Sequence, residues 1–200
     1  MLDFLIAMVG SRPIEIAAFF LGLINVTLLV RRSIWNYPFG MAMVTLYVWI
    51  FFENKLYGQS ALQFVYFGIQ AYGLMHWLGK RDATGGVIVR RLTMKQGAII
   101  AAAVILASIS IGAVMAAMTD AAAPFADGLT TAIFLAAQML LALRYLENWI
   151  LWIIGDVFAV GLYWSQDLQP TAALYAIFLV LSTIGYFNWR RAHRAGVAAT

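Results

Sequence analysis

Apolar residues run in long stretches along this chain, interrupted by short polar knots. Stretches long enough to cross about 30 Å of hydrocarbon fall at roughly 14–30, 37–53, 60–78, 96–118, 126–145, 148–164 and 170–188. A backbone in lipid must satisfy its own hydrogen bonds. Segments this long and apolar do so as helices rather than barrel strands. The pattern predicts an all-α integral membrane protein with seven transmembrane helices, folded as a single membrane domain over residues 1–200. Residues 2–9 (LDFLIAMV) lack a basic leading region and a small-residue cleavage site, and read as an interfacial or partly inserted lead-in.

A repeat is visible without gaps. Residues 14–78 fall on 126–190, a shift of 112 places. Arg32 then meets Arg144, Asn36 meets Asn148, Gly73 meets Gly185 and Trp77 meets Trp189, among many Leu and Ala matches. The chain reads as three helices (14–78), a connecting helix (96–118) and three more helices (126–190). One helix between the halves gives both the same orientation in the membrane. Parallel repeats of this kind are a transporter plan, with the substrate site near the midplane between the halves.

Composition sharpens this reading. The chain is 64% hydrophobic and 11% charged, with a mean hydropathy of +0.84, far from the quarter charged residues usual in soluble domains. It contains no cysteine and only two histidines, His76 and His193. Disulfides and thiol chemistry are excluded, and a His-based metal site is disfavoured. The net charge of +4 sits in loops and at the C-terminus, which suits membrane topology better than nucleic acid binding. With seven spans, one side carries Arg31, Arg32, Lys80, Arg81, Arg90, Arg91, Lys95, Arg144, Arg190, Arg191 and Arg194. The other side has Arg12 and Lys55, near Asp120, Asp127 and Asp167. The positive-inside rule places the N-terminus outside and the C-terminus in the cytoplasm. The basic 79–95 loop fits contact with anionic lipid.

Polar side chains inside the spans fall on defined faces. At 100° per residue, Asn148, Trp152, Asp156 and Tyr163 lie within about 80° of arc on the sixth helix, with Trp149 beside them. The second helix offers Asn36 and Tyr47, the third Gln63, Tyr66 and Gln70. The fifth offers Thr131 and Gln138, and the seventh Tyr175, Ser182 and Tyr186. A carboxylate in mid-bilayer costs several kcal/mol unless it meets water, a partner or a ligand, and no Lys or Arg lies inside any span, Arg144 standing at the very end of the fifth. Asp156 is therefore either bonded to a neighbour or lines a pocket for a polar, cationic small molecule, which aromatic faces also attract. Asn36 and Asn148 fit helix capping as well as pocket lining. The glutamines fit interhelical hydrogen bonding as well as pocket lining. Trp35, Trp49, Trp77, Trp164 and Trp189 lie near helix ends and read as an interfacial belt.

Two stretches, NYPFGMAMVTLYVWIFFENKLYGQSALQFVYFGIQAYGLMHW (36–77) and RYLENWILWIIGDVFAVGLYWSQDLQPTAALYAIFLVLSTIGYFNWRR (144–191), carry a resemblance to the PnuC-type vitamin transporters. The ENWxxW run and the GYxxW ending of the last helix are the specific parts, and the resemblance covers nearly the whole chain. It implies a 3+1+3 helix arrangement like that of the SWEET sugar carriers, a homotrimer in the bacterial inner membrane, and no cofactor. It also implies facilitated diffusion of an unphosphorylated vitamin that a cytoplasmic kinase then traps. The family motif maps onto Asn148, Trp149 and Trp152, with amides at Gln63, Gln70 and Gln138. Nicotinamide riboside is the expected substrate, with thiamine or riboflavin as alternatives and a SWEET-like sugar carrier as a distant one.

Other classes lack their chemistry. A membrane enzyme would need a nucleophile, a metal set or an acid-base pair on one face. A retinal protein would need a lysine in residues 171–188, which contain none. A channel would show a repeated filter or a ring of charge. A single intramembrane acid without a partner makes a poor ion-coupled pump, so uniport is the expected mode.

Overall fold

The computed structural model describes residues 13–53, 57–79, 86–119, 123–165 and 169–198. The expected lead-in at 2–9 and the charges Arg12, Lys55, Lys80, Arg81, Asp120 and Asp167 lie outside these. Seven helices make up nearly all of the described residues: α1 (Pro13–Val30), α2 (Asn36–Glu53), α3 (Tyr57–Trp77), α4 (Met94–Met118), α5 (Pro124–Ala142), α6 (Asn148–Ser165) and α7 (Gln169–Ala198). Among the described residues, four segments are long and apolar enough to cross a membrane: Pro13–Val30, Met94–Met118, Pro124–Ala142 and Ala172–Gly196. Asn148–Leu162 is a shorter apolar helix. Large apolar side chains such as Phe64, Met75, Ile99, Leu106 and Met118 stand exposed, which a hydrocarbon solvent accommodates and water does not.

The chain divides into two compact units, one of residues 1–88 with 187–200, the other of residues 89–186. In the first, α2 packs on both α1 and α3. In the second, α5 packs on both α4 and α6. α4 begins at a capping box, in which Thr93 and Gln96 exchange side-chain and backbone hydrogen bonds and so satisfy two otherwise unpaired N–H groups.

Each unit contains a tight elbow built on an arginine. In the first, α1 ends where Arg32 takes a left-handed φ of 57°. The Arg32 N–H donates to Leu29 O and the Ser33 N–H to Leu28 O, both at 2.9 Å. In the second, α5 ends where Arg144 takes φ 67°, with Arg144 N–H donating to Leu141 O and Tyr145 N–H to Leu140 O, both at 2.9 Å. These are Schellman closures, normally made with glycine because a left-handed L-residue costs roughly 1–2 kcal/mol. The elbow carbonyls are themselves used: Val87 N–H donates to Arg32 O, and Arg90 N–H donates to Arg144 O. The expected fifth span, 126–145, therefore stops three residues early, and the last helix runs ten residues past the expected 188.

After each elbow an aromatic ring lies on a glycine of a later helix. Tyr37 of α2 covers Gly73, where an added Cβ would come 2.5 Å from its hydroxyl. Trp149 of α6 covers Gly185, where a Cβ would come 2.5 Å from its ring. Two of the expected belt tryptophans are corrected by this packing. Trp77 is 1% exposed and Trp189 0%. In the first unit Trp77 meets Tyr37 edge-on at 5.1 Å and Trp189 at 5.8 Å, and the Trp189 indole N–H donates to Leu29 O at 3.0 Å. That indole supplies a donor to a last-turn carbonyl of α1. Trp35, Trp49 and Trp164 are exposed, as belt residues are.

Candidate functional site

In the second unit the polar face of α6 is the centre of interest. Asn148, Trp152 and Asp156 follow at four-residue intervals and share one face. Asn148 is fully buried, and its Nδ2 donates to Tyr145 O at 2.6 Å. This closes the turn before α6, but it is not the capping alternative, in which the side-chain oxygen would accept from a first-turn N–H. The other half, Oδ1, is buried with no hydrogen-bond partner, and so is the indole Nε1 of Trp152. An orphan of this kind costs about 1–3 kcal/mol, and a folded protein keeps few of them.

One turn on, Asp156 is 1% exposed and accepts a hydrogen bond from the Ser182 hydroxyl of α7 at 3.0 Å. Among the described residues it has no ion pair. One serine satisfies one of the two carboxylate oxygens. Beside it stands a ring stack. Phe134 of α5 lies 5.2 Å from Trp152 at an interplanar angle of 27°, and 6.1 Å from Tyr175 of α7 at 11°. Phe134 fits because Gly155 presents no side chain beneath it. Gln138 is half-buried on α5. Trp149 is 1% exposed and committed to Gly185, so in this conformation it packs α6 on α7. The side chain of Tyr163 lies outside the described residues.

The first unit is dressed differently. Asn36 is buried and its Nδ2 donates to Ser33 O at 2.6 Å, the same turn closure as at Asn148. The Asn36 carbonyl accepts from Asn25 Nδ2 of α1 at 2.7 Å. Asn25 and Gln70 of α3 both crowd over Gly40, which has no Cβ to exclude them. Gln63 and Tyr66 are half-buried. Gln63, Tyr66, Gln70 and Gln138 form no side-chain hydrogen bond with the described residues. Tyr47 is occupied by stacking on Phe51 at 5.5 Å. Positions 112 apart contrast sharply: Gly40 against Trp152, Val44 against Asp156, Gln63 against Tyr175, Gln70 against Ser182. One unit offers amides, the other rings and an acid.

Two contributors, Asn25 and Phe134, are not among the residues that the sequence singles out. Asn25 carries a usable signal, an amide in the middle of an otherwise apolar span. Phe134 carries none, being one of thirteen phenylalanines in the chain. Among the described residues no three His, Asp or Glu side chains converge as a metal site.

Residues 12–191 match the family model described as nicotinamide mononucleotide transporter. The chain is 31% identical to the nicotinamide riboside transporter PnuC of Neisseria mucosa, over 85% of this chain and 69% of that protein. It is 30% identical to the nicotinamide riboside transporter PnuC of Haemophilus influenzae, over 85% of this chain and 76% of that one. The riboflavin/roseoflavin transporter RibM of Streptomyces davaonensis is 29% identical over 84% of this chain and 80% of its own length. Among solved structures, the crystal structure of the vitamin B3 transporter PnuC matches with a TM-score of 0.77 and 26% identity, over 96% of this chain and 88% of that one. A buried polar face of amides, rings and one carboxylate, set in a multi-pass helical membrane protein and matched along nearly its whole length, assigns this chain to the nicotinamide mononucleotide transporter family, the membrane transporters that include PnuC.

Proposed function

We propose that this protein carries nicotinamide riboside across the bacterial inner membrane by facilitated diffusion, and that a cytoplasmic kinase traps the product. The observation that carries the reading is the α6 face. An orphan acceptor (Asn148 Oδ1), an orphan donor (Trp152 Nε1) and a buried carboxylate (Asp156) stand beside a ring stack. Nicotinamide riboside is a flat pyridinium cation bearing an amide and ribose hydroxyls. Its ring suits Trp152 and Tyr175, its positive charge suits Asp156, and its amide and hydroxyls suit Asn148 and Gln138. Trp149 and Tyr163 of the same helix, and Asn36, Tyr47, Gln63, Tyr66 and Gln70 of the first unit, are further candidate contacts.

Seven crossings in a 3+1+3, SWEET-like arrangement, with the N-terminus outside and the C-terminus cytoplasmic, are part of the same reading, as is a homotrimer. In its support, the Arg32 and Arg144 elbows, the Asn36 and Asn148 turns, and the Tyr37–Gly73 and Trp149–Gly185 contacts recur at the shift of 112.

The match to RibM favours riboflavin as a second reading. The isoalloxazine ring is neutral, so Asp156 argues for the cation, and for thiamine ahead of riboflavin among the alternatives. Calorimetric titration of the purified protein with each vitamin tests this. Selective micromolar binding of nicotinamide riboside is expected, and selective binding of riboflavin or thiamine would replace it.

A further inference from the structure

The end of α7 departs from the apolar character of its span. From Asn188 to Arg194 it reads NWRRAHR, and from Phe187 onward it belongs to the first unit. Trp189 pins it to Leu29 at the end of α1. Beside that pin lies an open cleft of about 470 Å3. The end of α1 contributes Val30, Arg31 and Arg32 to its lining. α7 contributes Asn188, Arg191, Ala192 and Ala195, a single stripe at the i, i+3, i+4, i+7 spacing of one helix face.

Three arginines therefore line one cleft, and no acidic residue lines it. Arg32 is committed: its Nη1 donates to Val87 O at 3.1 Å. Arg31 and Arg191 are exposed and form no ion pair with any described residue. Like charges repel, so such a cluster is stable only when a counter-ion or water screens it. The fold itself does not demand these charges: the residues 112 places from Arg31 and Arg191 are Leu143 and Gly79. The remaining walls, Val30, Ala192 and Ala195, are apolar and small. The exposed Trp35 marks the adjacent elbow as interfacial.

We propose that this cleft binds the phosphate of an anionic phospholipid. Arg31 and Arg191 take the phosphate oxygens through paired N–H groups, as guanidinium does well, and the Asn188 amide adds a donor. The apolar walls accept the start of the lipid's glycerol and acyl region. The recognised chemistry is a phosphate anion, so a free phosphate is the competing source.

Thermal unfolding of the purified full-length protein in detergent, with added phosphatidylglycerol, phosphatidylcholine or inorganic phosphate, separates them. Phosphatidylglycerol is expected to raise the unfolding temperature by a few degrees, as a ligand of the folded state does, and phosphatidylcholine to leave it unchanged. The shift should vanish in R31Q/R191Q, shrink in R31K/R191K, which keeps the charge but not the paired N–H groups, and survive in R194Q, which lies off the cleft. An undiminished shift in R31Q/R191Q overturns the proposal, as does an equal shift of the parent protein with millimolar inorganic phosphate. Should the double variant prove unstable, bound phosphatidylglycerol counted by native mass spectrometry on R191Q decides. At most half the parent's occupancy is expected, and unchanged occupancy overturns the site.

Discussion

Asp156 sets the sharpest question at the residue scale, because its two plausible roles make opposite demands. As a structural acceptor it needs only the Ser182 hydroxyl, 3.0 Å away, and Asn would serve as well. As a ligand for a cation it needs its charge. Hydrogen bonds to charged groups contribute about 1.5–3 kcal/mol, roughly ten- to a hundredfold in affinity. We therefore expect Asp156→Asn to weaken nicotinamide riboside binding about ten- to a hundredfold in calorimetry while thermal stability stays near the parent's. Ser182→Ala should weaken binding less. Equal affinity of parent and Asp156→Asn would make Asp156 a packing residue. Trp152 permits a finer test. Trp152→Phe keeps the stack with Phe134 and removes the orphan N–H, whereas Trp152→Ala removes both. A smaller loss for Phe than for Ala would assign the ring most of the effect. The polar members of this face are legible in the sequence, since Asn148, Trp152 and Asp156 advance by whole helical turns. Phe134 is not, because stacking depends on how α5 meets α6 and no spacing within one helix encodes that.

Element boundaries tell a similar story. The helices lie close to where unbroken apolar runs place them, because the cost of an unpaired backbone group in hydrocarbon leaves few alternatives. The ends are less legible. A Schellman closure usually advertises itself with glycine, and here arginine occupies both left-handed positions, Arg32 and Arg144. The tryptophans at 77 and 189 mislead for a related reason. Position near a helix end suggests an interfacial belt, yet both rings are buried and one serves as a hydrogen-bond donor to α1. The ring-on-glycine contacts give a prediction at this scale. A Cβ at Gly185 would come 2.5 Å from the Trp149 ring, and overpacking of this kind costs about 1–3 kcal/mol. Gly185→Ala should lower the unfolding temperature in detergent by several degrees with helix content unchanged. Adding Trp149→Leu, which shrinks the ring, should recover part of that loss. Additive destabilisation in the double variant would mean that the two residues do not press on each other.

For the whole molecule, the absence of cysteine turns topology into a clean measurement. The excess of Lys and Arg on one side predicts the end of α7 in the cytoplasm and the end of α6 outside. A membrane-impermeant maleimide should then label Ser165→Cys in intact cells and reach Gly196→Cys only after lysis; the reverse pattern would invert the molecule. Direction of transport follows from a different argument. Accumulation against a gradient requires an ion whose binding is linked to that of the substrate, and hence a site for that ion. Among the described residues the carboxylates other than Asp156 lie at helix ends or in turns: Glu15 and Asp127 in first turns, Glu53 at the end of α2, and Glu147 in an ion pair with Arg91. Among the described residues Asp156 alone is fully buried within a span, and a single acid proposed to hold a cationic substrate has no second carboxylate to relay a proton. Proteoliposomes given an inward proton or sodium gradient should therefore fill with nicotinamide riboside only to equal concentrations on both sides. Unlabelled substrate preloaded inside should drive transient uptake of labelled substrate by exchange. Steady accumulation of several-fold under either gradient would require a coupling ion, and Asp156→Asn would then be the first variant in which to look for its loss.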